Sequence, residues 1–412
     1  MRKSFPKTGK DWDAIEQDLD SMAADDIDWR QGRDPLWIQF ATAELHELGK
    51  KAYLKFFAEN ALGGKRGFYG IKRMEEEIVQ MSLDLFNAPE KAAGSMSTGG
   101  TESIFLAIKA CRDGFLNKSK ISELNMVVPY SVHPAFDKAC TTMNIEIRRV
   151  PLRKDFRADI DAMENAIDEG TIMIAGSAPC FPHGVIDPIK ELSDLALKRN
   201  IWLHVDACIG GYIAPFARKL GYPVPEFDFS LAGVRSISAD LHKFGFCPKL
   251  ASVVLYANQN DFQYQMFDYN VWPSGQFITA TLTGTRPAGS IAAAWSIFHY
   301  LGESGYLDIV NRLMKLTHKY VDGIKAIDGL HLWVEPDLSI INFGSHTVDI
   351  FAVAEEFTQK KWLPGLTQNP RGMHIMTSLI HEPVCEEYLL VLKEAVKKNH
   401  ESKTSSSIKV TY

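Results

Sequence analysis

Lys243 stands in the stretch SADLHKFGF, just past an apolar run and between a histidine and a phenylalanine. An ammonium beside a buried strand gives up hydration, so a lysine placed there calls for a partner or a reaction. Imine formation with an aldehyde is the reaction for which catalytic lysines are used. The plainer use is a lysine whose stem covers apolar surface while its charge stays in water.

Three other stretches extend the chemistry. In MSTGGTESIFLAIKA, Gly99 and Gly100 permit close backbone approach and Thr101 opens an amphipathic helix. The first N–H groups of such a helix lack internal partners and suit an anion, often phosphate. Read alone, the stretch is equally an ordinary glycine turn with Thr101 as its cap. In IWLHVDACIGGY, Asp206 ends an apolar strand, where open α/β sheets place ligand-binding groups. A carboxylate there needs a cation, and a protonated pyridine nitrogen, a salt bridge or a helix cap would each serve. His133, in SVHPAFDKA, has the ring to stack on an aromatic face, and His242 can reach a phosphate; either can also satisfy a local hydrogen bond. The order of these groups decides among the alternatives. A phosphate, a flat ring, a pyridinium nitrogen and an aldehyde carbon are parts of one molecule, pyridoxal phosphate, with Asp206 keeping the ring nitrogen protonated.

The elements that must carry these residues alternate in pattern. Apolar residues over 71–86 recur at the three- and four-residue spacing of a helix face. Extended candidates lie at 126–128, 145–150, 172–175, 201–205, 236–238 and 252–256, with helical stretches at 135–143, 159–167 and 189–198 between the early ones. Strand and helix in turn predict an α/β fold around a mostly parallel sheet. Past TRPAGS, a long helix over 291–327, the runs LHLWVEP and SIINFG, a helix near 349–361, MHIMTSL and a last helix read as a smaller α+β domain. The expected organisation is an N-terminal arm and helix over 1–60, a large cofactor-binding domain over 61–290 and a small domain over 291–412. The tail KKNHESKTSSSIKVTY is polar and expected to be mobile.

Bulk properties set limits. The 412 residues, 46% hydrophobic and 23% charged, suffice for a large and a smaller core. A formal charge of −6 offers no general attraction to nucleic acid or anionic lipid. The N-terminal stretch lacks the apolar centre of a signal peptide, and no apolar run is long enough to cross a bilayer. Six scattered cysteines without a C-x-x-C pair fit reduced thiols in a cytoplasmic compartment, and no metal is expected.

Taken together, RMEEEIV, STGGTESI, FPHGVIDP, LHVDACIGGY, FDFSLAGVRSISADLHKFGFCPK, SVVLY and LTGTRPAGSIAAAW resemble the fold-type I, group II pyridoxal-phosphate enzymes, a set with many amino-acid decarboxylases. Within that set the chain is most similar to the sphingosine-1-phosphate lyases; FPHGVIDP and SISADLHKFGFCPK point to that branch. The resemblance implies a seven-stranded-type sheet in the large domain and a homodimer with shared active sites. It implies Lys243 as the Schiff-base lysine, Asp206 as the ring-nitrogen partner, and Ala207 or Cys208 packed on a ring face. His133 would stack on the other face; Gly100, Thr101 and His242 would hold the phosphate. Gly284 and Thr285 would come from the partner subunit, and Lys249 would lie near the substrate phosphate.

One departure stands out. The lyases carry Asn-Pro-Leu-His ahead of the RME helix, whereas this chain reads NALGGKRGFYG, keeping Asn60 and Leu62 but placing Gly63 where the histidine would be. Lys65 or Arg66 could supply the missing positive charge, since a guanidinium binds phosphate through two bonds. The implied reaction cleaves a phosphorylated sphingoid base to a fatty aldehyde and phosphoethanolamine, with Lys243, Lys249 or Tyr69 as the base. Decarboxylation of an amino acid is the alternative, because it uses the same cofactor and lysine.

Overall fold

The computed structural model describes residues 2–402, 405, 406 and 410. Seven strands form the central sheet: β1 (Ala93–Ser97), β2 (Asn125–Pro129), β3 (Glu146–Val150), β4 (Thr171–Ser177), β5 (Trp202–Asp206), β6 (Val234–Ala239) and β7 (Ser252–Tyr256). Their order is β1-β7-β6-β5-β4-β2-β3. β3, β2, β4, β5 and β6 pair in parallel, while β7 runs antiparallel to both β6 and β1. Every residue of β2, β4, β5 and β7 is buried, as expected for strands covered on both faces.

Helices cover the sheet where the sequence pattern placed them. Ala135–Met143 and Ile189–Arg199 end at Asn144 and Asn200, both in the left-handed conformation that asparagine tolerates. The long helix Ala288–Lys325 is interrupted at Gly302, whose backbone leaves the helical region with φ 54°. It leads to a second sheet built from β10 (Leu330–Leu332), β11 (Ile340–Ser345), β12 (Gly365–Gln368) and β13 (Arg371–Met376), once the intervening hairpin β8 (Phe267–Trp272) and β9 (Gly275–Thr279) is counted. Of the expected mobile tail, residues 397–402 belong to the last helix, Cys385–Ser402, and 403, 404, 407–409, 411 and 412 lie outside the described residues.

FPHGVIDP is the joint between the two sheets. Gly184 has φ +73°, and a Cβ on it would sit 2.1 Å from the Ile340 carbonyl oxygen, so only glycine lets β11 come this close. Arg157 holds Asp337 through two bonds of 2.8 and 2.7 Å, and the Asn342 amide donates to the Pro182 carbonyl at 2.8 Å. Buried Asp187 accepts from the backbone N–H groups of Ser177 and Ala158.

Candidate active site

The parallel strands fix where the chemistry gathers, because all their carboxyl ends open on one edge. β1 leads into the turn at 98–100, β2 into His133, β4 into Pro179 and Phe181, β5 ends on Asp206, and β6 leads into Asp240, His242 and Lys243. These residues, with Thr101, Cys208, Lys249 and Met376, line one cavity of about 420 Å³. Met376 ends β13, so the small sheet forms part of the wall.

The Lys243 ammonium lies 3.0 Å from the Asp240 carboxylate, and Asp240 is 2% exposed. Burial works to lower the Lys243 pKa, but the nearby Asp240 carboxylate, with Cys208 and Asp206, outweighs it and holds the amine above its ordinary value. For Asp240, burial works to raise the carboxyl; Lys243 and His242 win and hold it below the usual range. Asp206 Oδ1 accepts from the Cys208 N–H at 3.0 Å and from the Ser238 hydroxyl at 3.4 Å, which fixes the carboxylate at the strand end.

Two histidines are kept neutral mainly by burial, which lowers both His133 and His242. His133 Nδ1 accepts from the Ala135 N–H and His242 Nδ1 from the Ala251 N–H. These bonds assign the ring proton of each neutral histidine to Nε2. Lys249 keeps solvent contact along its side chain and donates to the Trp37 carbonyl at 3.2 Å. Desolvation of its ammonium at the cavity wall lowers its pKa.

The cavity fits pyridoxal phosphate on two observations. Gly100 opens the helix Gly100–Leu116 at the cavity floor, and a Cβ there would lie 2.7 Å from Cys208 Sγ and 3.0 Å from Asp240 Oδ2. That crowding keeps position 100 free of a side chain, so the helix terminus, the kind of site that suits an anion, packs directly on Cys208 and Asp240 at the cavity. Among the described residues Asp240 Oδ1 is buried with no hydrogen-bond partner, an acceptor beside the lysine that a polar ligand would fit. Residues 98–101 and His242 would hold the phosphate, Asp206 the ring nitrogen, and Lys243 the aldehyde carbon. No group of His, Cys, Asp and Glu suited to a metal ion is found among the described residues.

The structure thus brings Lys243, Lys249, Gly100, Thr101, His133, Asp206 and His242 together. Ala207, just past the end of β5, is fully buried in the core cluster and does not line the cavity; Cys208 lines the wall instead. Asn60, Lys65, Arg66, Tyr69, Gly284 and Thr285 are absent from this wall. Tyr69 is 66% exposed at the start of the helix Tyr69–Leu85. The Asn60 amide donates to the Thr285 hydroxyl at 3.2 Å, and Lys65 and Gly284 line a separate cleft with the Arg286–Glu75 ion pair. Asp240 has no role among the sequence expectations, although the three-residue step from Asp240 to Lys243 is the spacing of one turn and a usable signal.

Comparison with known proteins agrees with this geometry. Residues 70–345 match the pyridoxal-dependent decarboxylase conserved domain. The sphingosine-1-phosphate lyase of Oryza sativa subsp. japonica is 41% identical over 96% of this chain and 74% of its own length. Sphingosine-1-phosphate lyase 1 of Rattus norvegicus is 37% identical over 98% of this chain and 72% of its own. The solved sphingosine-1-phosphate lyase of Burkholderia pseudomallei superposes with a TM-score of 0.93 at 33% identity, covering 98% of this chain and 94% of that one. The chain therefore belongs to the pyridoxal-dependent decarboxylase family, within its sphingosine-1-phosphate lyase branch, and is a pyridoxal-phosphate-dependent lyase.

Proposed function

We propose that the protein works as a homodimer that cleaves a phosphorylated sphingoid base to a fatty aldehyde and phosphoethanolamine. The observation that carries this reading is the convergence of Lys243, Asp206 and the 98–101 turn on one cavity, in a chain that matches the lyases over nearly its whole length. Bound pyridoxal phosphate supplies an aldehyde for the substrate amine and a ring that accepts an electron pair. The residues do the rest. Asp240 holds the Lys243 proton while the amine exchanges partners. Lys249 takes the proton of the substrate hydroxyl as the neutral amine, the form that desolvation favours. The bond between the hydroxyl-bearing and amine-bearing carbons breaks, and the first carbon leaves as the aldehyde. Lys243 then returns a proton to the carbon that kept the electron pair.

Apolar surface left uncovered in one chain supports the dimer. The helix Trp12–Ala23 buries no residue, and Trp12, Ile15, Leu19 and Met22 line up at helical spacing with exposures of 63%, 37%, 52% and 70%. The hairpin β8–β9 likewise exposes Phe267, Tyr269, Val271 and Trp272. In this reading the Asn60–Arg66 and Gly284–Thr285 stretches, which lie off their own chain's cavity, serve the neighbour's. Among the described residues no helix is long and apolar enough to cross a membrane. All six cysteines are free and buried, which supports a reducing, cytoplasmic setting.

Two tests follow the substrate. Incubation with a phosphorylated sphingoid base, and separately with a panel of amino acids, is expected to give aldehyde and phosphoethanolamine from the first and no carbon dioxide from the second. Carbon dioxide without aldehyde would transfer the assignment to decarboxylation. Lys65→Ala and Arg66→Ala are each expected to raise KM about tenfold, the size of one lost hydrogen bond to a charged group, while the cofactor absorbance stays unchanged. Unchanged KM in both variants removes this loop from the phosphate pocket.

A further inference from the structure

Glu102 is 6% exposed and sits in the first turn of the helix Gly100–Leu116, against the turn that would hold the cofactor phosphate. A carboxylate there repels an incoming anion unless its charge is taken up elsewhere. Four donors take it up. Oε2 accepts from the Thr98 backbone N–H and hydroxyl, both at 2.6 Å. Oε1 accepts from the backbone N–H groups of Leu282 and Thr283 at 2.8 and 3.3 Å. One side chain therefore joins the anion-binding turn to a loop 180 residues further along the chain. That loop is stiffened from within, since the Thr281 hydroxyl donates to the Thr283 carbonyl at 2.7 Å. Gln265 anchors its start by donating to the Ala280 carbonyl at 2.5 Å and to the Ser95 hydroxyl at 2.7 Å. Gly284 and Thr285 follow immediately.

We infer that Glu102 is a positioning residue that couples filling of the 98–101 turn to the order of the 282–285 loop, and through that loop to the neighbouring site of the dimer. The inference rests on the phosphate placement and the dimer proposed above. Its physical content is reciprocal linkage. If phosphate fixes the turn, Thr98 holds Glu102 in one rotamer, and Glu102 holds the loop amides. Order in the loop must then raise cofactor affinity by the same factor. A carboxylate can serve both sides because each oxygen accepts two bonds. An amide cannot, since its NH₂ would face either the Thr98 N–H or the Leu282 and Thr283 N–H groups.

The test is Glu102→Gln in the full chain, read by hydrogen exchange of the 282 and 283 amides with and without pyridoxal phosphate. In the wild type, cofactor is expected to slow their exchange at least tenfold. In the variant that difference disappears and the cofactor dissociation constant rises about tenfold, while borohydride still fixes the cofactor to Lys243. Cofactor-induced protection and affinity that both survive in Glu102→Gln overturn the inference. Should Glu102→Gln fail to fold, Thr98→Val removes one of the four donors and carries the same readout, with a fewfold loss of protection expected and an unchanged response contrary to the inference. Thr101→Ala and His242→Ala separate the premise from the inference. If both keep the wild-type preference for pyridoxal phosphate over pyridoxal, the phosphate does not sit at this turn and both readings fall. If they lose it while Glu102→Gln behaves as wild type, only the role of Glu102 falls.

Discussion

Lys243→Ala is expected to lower carbon–carbon cleavage at least about a thousandfold, because residues that act as a unit in a covalent step cost nearly the whole enhancement when one is removed. The geometry says why no neighbour substitutes. Lys249 lines the same cavity, but its ammonium donates to the Trp37 carbonyl, and among the described residues no carboxylate pairs with it as Asp240 does with Lys243. Binding of pyridoxal phosphate should weaken far less than the rate, since the 98–101 turn and Asp206 remain. The variant is expected to take up cofactor from solution yet to release it on dialysis after borohydride, whereas the wild type retains it on the peptide containing Lys243. Retention of label on another lysine, or a rate within tenfold of wild type, would remove Lys243 from the centre of the mechanism.

Much of this was legible in sequence because the relevant signals are local. β2, β4, β5 and β7 are apolar runs bounded by turns, and they lie within a few residues of where the pattern put them. β1 went unread because Ala-Gly-Ser-Met-Ser is small and half polar; only its pairing with β7 makes it a strand. β12 and the β8–β9 hairpin were missed for a related reason. Phe267–Trp272 exposes every residue, so no buried face imposes a period of two on it. Within the site, Lys243 and Asp206 were visible by type and position. Glu102 is not, because its role depends on donors that the fold brings from far along the chain, the Leu282 and Thr283 amides, whereas Asp240 is marked only by its one-turn spacing from Lys243. In sequence FPHGVIDP is a mark of kinship. Its physical use is the close approach of Gly184 to Ile340, a contact across two sheets that no local pattern announces.

The second large effect is on stability in acid. His183, His204, His374 and His381 are each held neutral by burial, with pKa values lowered to about 4. His204 lies between the Ser236 and Ser238 hydroxyls, and His381 between the Ser378 N–H and the Asp34 carbonyl. His374 has neither ring nitrogen hydrogen-bonded and packs edge-on to Phe181, which lines the cavity. In the unfolded chain these rings take protons near pH 6.5, and in the native chain they resist until about 4. Between those values the unfolded state binds more protons, so stability falls as pH drops through the window, by roughly 3 kcal/mol per histidine. Asp187 opposes this, because burial raises its carboxyl to about 6 and its contribution is lost as pH rises from 3.8 through 6. One such group offsets about one histidine, so the balance remains a loss of stability as pH falls. Denaturant midpoints are therefore expected to be highest above pH 6.5 and to fall steeply toward pH 4.5. His374→Leu, which removes a ring with no hydrogen bonds to lose, should flatten that slope by up to one proton's worth. A slope unchanged in His374→Leu would mean that the ring is already protonated in the native protein and that its burial does not set the acid limit.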